Sequence, residues 1–369
     1  MRHLSPDARR VPLRALFVLL LLFPAARAQQ PQQGLAPEKI KQIEQLISTE
    51  MAKQSIAGLS VAVVTDNQLR WSAGYGFADV ENRVPAKPAT VYRLASVSKP
   101  VTAVAVMRLV EQGKLDLDAP VQKYCPAYPQ KQWTVTARQI LGHLSGIRHY
   151  KSDEEFNSTR FYPDVTSGLA LFKDDPLAFE PGTRYFYSTF GYSVLGCAIE
   201  GASGVSYADF LRENVLKPAG MDTMRVDSVT DLIPNRAQGY RRGRDGTLKN
   251  SPLADNSYKV PGGGLVSTVE DLAKLAAALQ TAKVLKKETV EQMYTKQKLR
   301  DGKEIDYGLG WGLASLNGRR YVMHTGAQQR VSTLLYTIPD EGAAVAIMVN
   351  VEDTQLSALA GQIAKALRK

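Results

Sequence analysis

Histidine and cysteine are the scarcest chemistry-bearing residues in this chain, four and two among 369. The histidines show no metal-ligand spacing, with each other or with the cysteines, so no zinc centre is expected. Beyond the N-terminus no apolar run reaches the ~20 residues that a membrane-spanning helix needs. There is no basic stripe interleaved with aromatics, which argues against nucleic-acid binding. The densest basic cluster, Arg241 to Arg244, precedes the turn signal Asp245-Gly246 and reads as a solvated loop. No internal repeat is evident. Neither metal, nucleic acid nor membrane span therefore explains the chain.

What is present begins with a leader. Arg2, Arg9, Arg10 and Arg14 form a basic region, Ala15 to Phe23 an apolar one, and Ala26-Arg27-Ala28 a small-residue cleavage site. This is the pattern of a secretory signal peptide over 1–28; an uncleaved anchor is the alternative. The expected location is therefore secreted or periplasmic. The formal charge is +10, and removal of five arginines and one aspartate with the leader leaves +6. Export makes a Cys125–Cys197 disulfide chemically possible. Cys197, in GYSVLGCAIE, nevertheless reads as a buried thiol acting as a small apolar residue.

A polar linker, 29–36, leads into a single domain, 37–369. Ile40, Ile43, Leu46, Ile47 and Met51 recur at helical spacing behind Pro37. GLSVAVVTDNQLRWSAGYG reads as two strands around Asp66-Asn67. About 97–250 is helix and long loop with little strand signal. Strands return near GGGLVST and continue through WGLASLNGRRYVMHTG and VSTLLYTIPDEGAAVAIMVN, with hairpin signals at Asn317-Gly318 and Glu341-Gly342. Leu356, Leu359, Ile363 and Leu367 mark a final helix. The economical arrangement is α/β (α+β): one antiparallel sheet from both chain ends, about 37–95 and 258–369, flanked by helices. A mostly helical subdomain, about 96–257, is inserted between them. A site is expected at the seam.

Within YRLASVSKPVTAVAVMRLV, Ser96 and Lys99 lie on one face of a helix expected from Ser96 to about Gln112. Pro100 suits its first turn. An amine ringed by apolar residues near a positive helix end loses preference for its charge. It can then accept the proton of a serine hydroxyl, a weak nucleophile unaided. S-x-x-K also arises by chance, and helix capping by Ser96 or Ser98 explains a serine equally well. Two further segments add weight. Tyr187-Ser188-Thr189 stands at a loop-to-helix junction, where a tyrosine hydroxyl can pass a proton to a leaving group. Thr325-Gly326-Ala327 ends a strand, where small residues let a substrate backbone run along the edge. The N–H groups of Ser96 and Ala327 can form an oxyanion hole there.

SVSK, YST and HTG, in this order, resemble the signature of the serine β-lactamase and penicillin-binding protein superfamily. LGHLSGI, FEPGTRYFYSTFGY, LKPAGMDTM and GGGLVSTVEDLAKL are similar to its class C-like branch. GHLSGIRHY, FYSTFGY and DNSYKVPGGGLVSTVEDL especially resemble its mitochondrial serine β-lactamase-like members, which are peptidase-like. The resemblance covers about 37–369 and implies a β-lactamase/transpeptidase-like fold with no cofactor. It implies Ser96 as nucleophile, Lys99 as base and Tyr187 as acid/base. Thr189 occupies the place of a substrate-binding asparagine, and His324, beside Thr325, that of a lysine, so the charge there is expected to depend on pH. His143 and Ser145 in GHLSGI are expected to form a structural turn rather than a catalytic pair. Bulky Gln328, Gln329 and Arg330 follow Ala327; Arg330 either binds a substrate carboxylate or points to solvent.

The expected function is a serine acyl hydrolase, peptidase or esterase in type, acting on a small-molecule or peptide amide or ester. The rivals are a class C-like β-lactamase and a non-catalytic structural or sensor protein. The absent E-x-x-L-N glutamate, Thr189 and His324 count against efficient β-lactam hydrolysis.

Overall fold

Burial along one strand sets the layering. The computed structural model describes residues 34–316 and 318–368, so the expected leader 1–28 and most of the 29–36 linker lie outside the described residues. In β1 (Gly58–Thr65), Leu59, Val61 and Val63 join one apolar cluster while Ala62 and Val64 join another. A strand buried on both faces must carry a layer on each side. The other strands are β2 (Gln68–Asp79), β3 (Val84–Pro85), β4 (Gly312–Leu316), β5 (Arg319–Gln328), β6 (Val331–Ile338) and β7 (Ala343–Val349). Their order is β3-β2-β1-β7-β6-β5-β4, antiparallel throughout. Val61 stands opposite Ile347, so both ends of the chain meet at the centre of one sheet.

Five helices frame this sheet: α1 (Pro37–Lys53), α2 (Ser98–Glu111), α3 (Thr189–Ser203), α4 (Val269–Gln280) and α5 (Ser357–Ala366). On one face Ile43 and Ile47 of α1 and Leu359 and Ile363 of α5 cover Leu59, Val61 and Ile347. On the other, Leu272 and Ala276 of α4 share the main core with Ala62, Leu335 and Ala346. Helix α2 belongs to that core and is buried at every position from Ser98 to Met107. Over that stretch it is enclosed on all sides, and its buried residues include the polar Ser98, Lys99 and Thr102. Between α2 and α4 run α3, shorter helices, loops and a few strands of two or three residues.

Three expectations change. The GGGLVST strand, Leu265–Ser267, does not enter the main sheet; it pairs with Tyr92–Arg93 and Arg225–Val226 in a separate three-stranded sheet. The RRGR segment is a hairpin, Tyr240–Arg242 with Leu248–Asn250, turning near Gly246 at φ 78°. Arg242 is not left to solvent, since it donates to the carbonyls of Gln54, Glu352 and Asp353. Finally, Cys197 is buried, as read, yet it is no free thiol, because Cys125 and Cys197 form a disulfide across 72 residues of sequence. The physical reason is Gly201, one turn further along α3. A Cβ there would overlap the carbonyl oxygen of Tyr124, so only glycine lets the Cys125 turn approach the helix this closely.

Closing a loop of this length restricts the unfolded chain, and the bridge should contribute about 2–4 kcal/mol. Dithiothreitol is expected to lower Tm, and thiol titration of the unreduced, denatured protein should find no free thiol. An unchanged Tm after verified reduction would contradict the stabilising role.

Candidate active site

The turn carrying Ser96 is strained and tied from several sides. Ala95 adopts φ 49°, an unfavourable region for a residue with a Cβ. Thr333 Oγ1 donates to the Leu94 carbonyl at 2.8 Å, and the Leu94 N–H donates to Leu265 O at 2.8 Å. Residues Ala95–Val97 form a 3-10 turn, and the α-helix starts at Ser98, two residues later than expected. Neither serine is a side-chain cap; Ser98 Oγ instead accepts from the Leu265 N–H at 3.2 Å. Ser96 is left partly exposed at the head of a buried helix.

Lys99, in the first turn of α2, has no exposed surface. Its Nζ lies 3.1 Å from Ser96 Oγ, 3.1 Å from Thr189 Oγ1 and 2.7 Å from the Gly262 carbonyl oxygen. Burial, reinforced by the neighbouring cation Lys259, holds its pKa well below the ordinary 10.5. A neutral amine has two N–H donors and one lone pair. Thr189 and Gly262 can take the two donors, which leaves the lone pair for the Ser96 hydroxyl. The start of α3 supplies Thr189. Ser188 caps that helix by accepting from the Gly191 N–H at 3.1 Å, while its own hydroxyl donates to Arg148 O at 2.7 Å. Gly262 comes close because a Cβ on it would crowd the Thr189 side chain and carbonyl.

Tyr187 precedes this cap. Its ring lies 4.8 Å from Lys99 Nζ and 4.3 Å, centroid to centroid, from the His143 ring. Burial raises its pKa far above the usual 10, although a hydrogen bond with Ser96 opposes part of the rise. The phenol is thus a proton donor at neutral pH. Two histidines support the loop into α3. The Ser188 N–H donates to His143 Nδ1 at 3.1 Å, and the Thr189 N–H to His149 Nδ1 at 3.2 Å. GHLSGI is therefore the structural turn that was expected, with His143 at φ 60°.

Strand β5 forms the opposite wall. It pairs with β4 only as far as Met323, so His324 to Gln328 leaves one edge without a partner strand among the described residues. Thr325 and Ala327 are exposed on it. Gly326 faces away; a Cβ there would overlap Leu94 O and Thr333 Oγ1, so glycine is needed for β5 to press against the Ser96 turn. Gly326 thus packs β5 against the Ser96 turn, with Thr325 and Ala327 on the exposed side. His324 is also corrected. Its Nδ1–H donates to Thr325 O at 2.7 Å, so its Nε2 accepts from the Tyr307 hydroxyl at 2.9 Å. Burial and Lys99 push its pKa down to about 3. His324 is neutral across the ordinary pH range and supplies no pH-dependent charge there. Arg330, half-buried, lines a separate small cavity with Arg93 and Arg236 and packs against Gly239.

Ser96, Tyr187, Thr189, His324, Thr325 and Ala327 line one cavity of about 280 Å³, with Lys99 behind Ser96. The sequence reading missed Tyr307, His149 and, above all, Lys259, which lines the same space. The signal for Lys259 was legible: it is a lone lysine two residues before a proline in a glycine-rich stretch, YKVPGGG.

An antiparallel sheet flanked by helices, with this cluster at their seam, defines a protein of the β-lactamase and penicillin-binding-protein class. Comparison with known proteins agrees, and the chain belongs to the β-lactamase family, whose model matches residues 43–368. It is 33% identical to the human mitochondrial serine β-lactamase-like protein LACTB, over 83% of this chain and 76% of that one. A penicillin-binding protein of Bacillus subtilis (strain 168) is 29% identical over 85% and 72%. The octameric penicillin-binding protein homologue from Pyrococcus abyssi superposes with a TM-score of 0.77 at 29% identity, covering 89% of this chain and 77% of that one.

All three described histidines have depressed pKa values: His324 near 3, His149 near 4, and His143 well below 6.5, each mainly through burial. In the unfolded chain they take up protons below about pH 6.5, whereas the folded protein refuses them. Stability is therefore full above that pH and falls as the solution is acidified toward 4. In imidazole ¹H–¹⁵N spectra, His324 should show no titration between pH 8 and 5, and Tm should fall over the lower part of that range. A His324 midpoint near 6.5 would contradict the assigned tautomer and burial.

Proposed function

We propose that the protein is an exported serine acyl hydrolase, peptidase or esterase in type, that forms an acyl-enzyme at Ser96 on an amide or ester carbonyl. The observation that carries this reading is the buried Lys99 amine, 3.1 Å from Ser96 Oγ, with its pKa held well below 10.5 by burial. Ser96 passes its proton to Lys99 as its oxygen attacks the carbonyl carbon. The N–H groups of Ser96 and Ala327 receive the developing oxyanion. Tyr187, kept protonated by burial, gives its proton to the leaving nitrogen or oxygen, and the Lys99 ammonium restores it. Water then attacks the acyl carbon, the proton transfers run in reverse, and Ser96 is released. Thr189 and the open β5 edge with Thr325 hold the substrate; Gly326 keeps that edge in place. No cofactor takes part in the scheme.

Small molecules and peptides fit a cavity of this size; neither nucleic acid nor stable membrane insertion is part of the reading, and no described helix is long and apolar enough to cross a membrane. Export rests on the 1–28 leader; the mitochondrial label belongs to the relative. A β-lactamase activity is less well supported, because Thr189 offers no amide and His324 no cation to a β-lactam.

Labelling with a fluorescent fluorophosphonate, then peptide mapping, should place the adduct on Ser96 and lose it in Ser96→Ala. Lys99→Met should slow labelling by about 10²–10⁴-fold at unchanged fold, as measured by circular dichroism. An adduct elsewhere, or a folded protein that no serine-directed probe labels, would overturn the reading and favour a non-catalytic member of the fold.

A further inference from the structure

The scheme above gives no task to the small cavity lined by Arg93, Arg236 and Arg330. Arg93 stands three residues before Ser96, Arg330 three residues after Ala327, and Arg236 is bridged to Val91. Arg93 is 9% exposed; its Nε pairs with Asp227 Oδ2 at 2.8 Å and its Nη2 donates to Ala254 O at 2.8 Å. Arg236 Nη2 lies 3.3 Å from Asp227 Oδ1 and donates to Ser228 O at 2.6 Å. Arg330 is in neither pair; its backbone N–H donates to Glu352 Oε1 at 3.0 Å. Four buried polar atoms here lack a hydrogen-bond partner among the described residues: Arg93 Nη1, Arg236 Nε, Arg330 Nε and Asp227 Oδ1. Arg236 and Asp227 are close enough to satisfy each other. That leaves Arg93 Nη1 and Arg330 Nε, two guanidinium donors buried without an acceptor, which is costly. The charges acting on Arg330 are Arg93, Arg236, Asp227 and Glu352. With Arg330 itself, three guanidiniums face two carboxylates, and one positive charge is left over. An arginine cannot shed that charge as a buried lysine can. The Arg330 backbone carries a further cost, since φ 76° is unfavourable for a residue with a Cβ. The fold makes room for this side chain all the same: a Cβ on Gly239 would lie 2.0 Å from Arg330 Cβ.

We propose that Arg93, Arg236 and Arg330 bind one monovalent inorganic anion of halide size, such as chloride. One negative charge balances the excess, and the ion accepts from the two guanidinium donors that lack an acceptor. The cavity, about 10 Å³, holds about one water-sized particle, so a halide fits and a phosphate or an organic acid does not. The bound ion joins Arg93, on the segment leading into the Ser96 turn, to Arg330, in the turn between β5 and β6. It thereby braces from behind the two segments that carry Ser96 and Ala327. The site stands apart from the Ser96 cavity and does not depend on the acyl-enzyme reading.

The test starts from protein exchanged into sodium gluconate, whose anion is too large for the cavity. Sodium chloride or bromide then replaces gluconate at constant ionic strength while Tm is followed. Tm should rise along a saturating curve with either halide, as it does for a ligand that binds only the folded state. Crystals soaked in bromide should show an anomalous peak between the three guanidiniums. Arg330→Asn removes the cation with a residue that tolerates the left-handed backbone, and should abolish the saturable rise. Arg236→Gln should weaken the apparent halide affinity about tenfold or more, and keeps the test valid if the first variant misfolds. Equal Tm values in gluconate and halide, a rise that survives these substitutions, or water rather than bromide between the arginines overturns the site.

Discussion

A lysine buried without a counter-ion is the constraint around which the site is built. Burying an ammonium is costly, and neither of the groups that dominate the titration of Lys99, burial and the cation Lys259, relieves that cost. The amine is thereby pushed toward its neutral form, which still needs acceptors for its N–H groups. Those acceptors come from two distant parts of the chain. Thr189 arrives on the capped start of α3 and Gly262 on the turn before Leu265–Ser267. The close approach of all three needs a glycine at 262, and the Ser96 turn above them needs another at 326.

The same dryness sets the protonation of the remaining groups. Tyr187 keeps its proton, His324 refuses one, and His143 and His149 serve as acceptors for the N–H groups that open α3. The wall that carries a cation in relatives with a lysine in the third motif is neutral here. Positive charge enters the cavity from the opposite side, through Lys259. Two amines facing one dry space cannot both be fully charged.

Much of this was legible in the sequence. Periodicity located α1, α5 and the strands of both chain ends, because alternating or stepwise burial leaves its mark on residue order. The ordered motifs around Ser96, Tyr187 and His324 meet in space, and one cavity contains all three. What was hidden depends on tertiary contact. The disulfide follows from the approach of Tyr124 to Gly201, which no spacing reveals. The low pKa of His324 follows from burial and from Lys99, far away in sequence. Helix α2 starts at Ser98 rather than Ser96 because Leu94 and Ser98 are tied to neighbouring strands and to Leu265. Lys259 shows the limit most clearly: its odd setting is visible in YKVPGGG, but its lack of a partner is visible only in three dimensions.

The account stands or falls on the protonation state of Lys99. The pH dependence of the second-order rate at which a fluorophosphonate modifies Ser96 reads that state directly. The rate should rise to a plateau with a midpoint well below the ordinary lysine value of 10.5, and the midpoint should vanish in Lys99→Met. A midpoint at the ordinary lysine value, or one that persists without Lys99, would contradict the neutral-amine site.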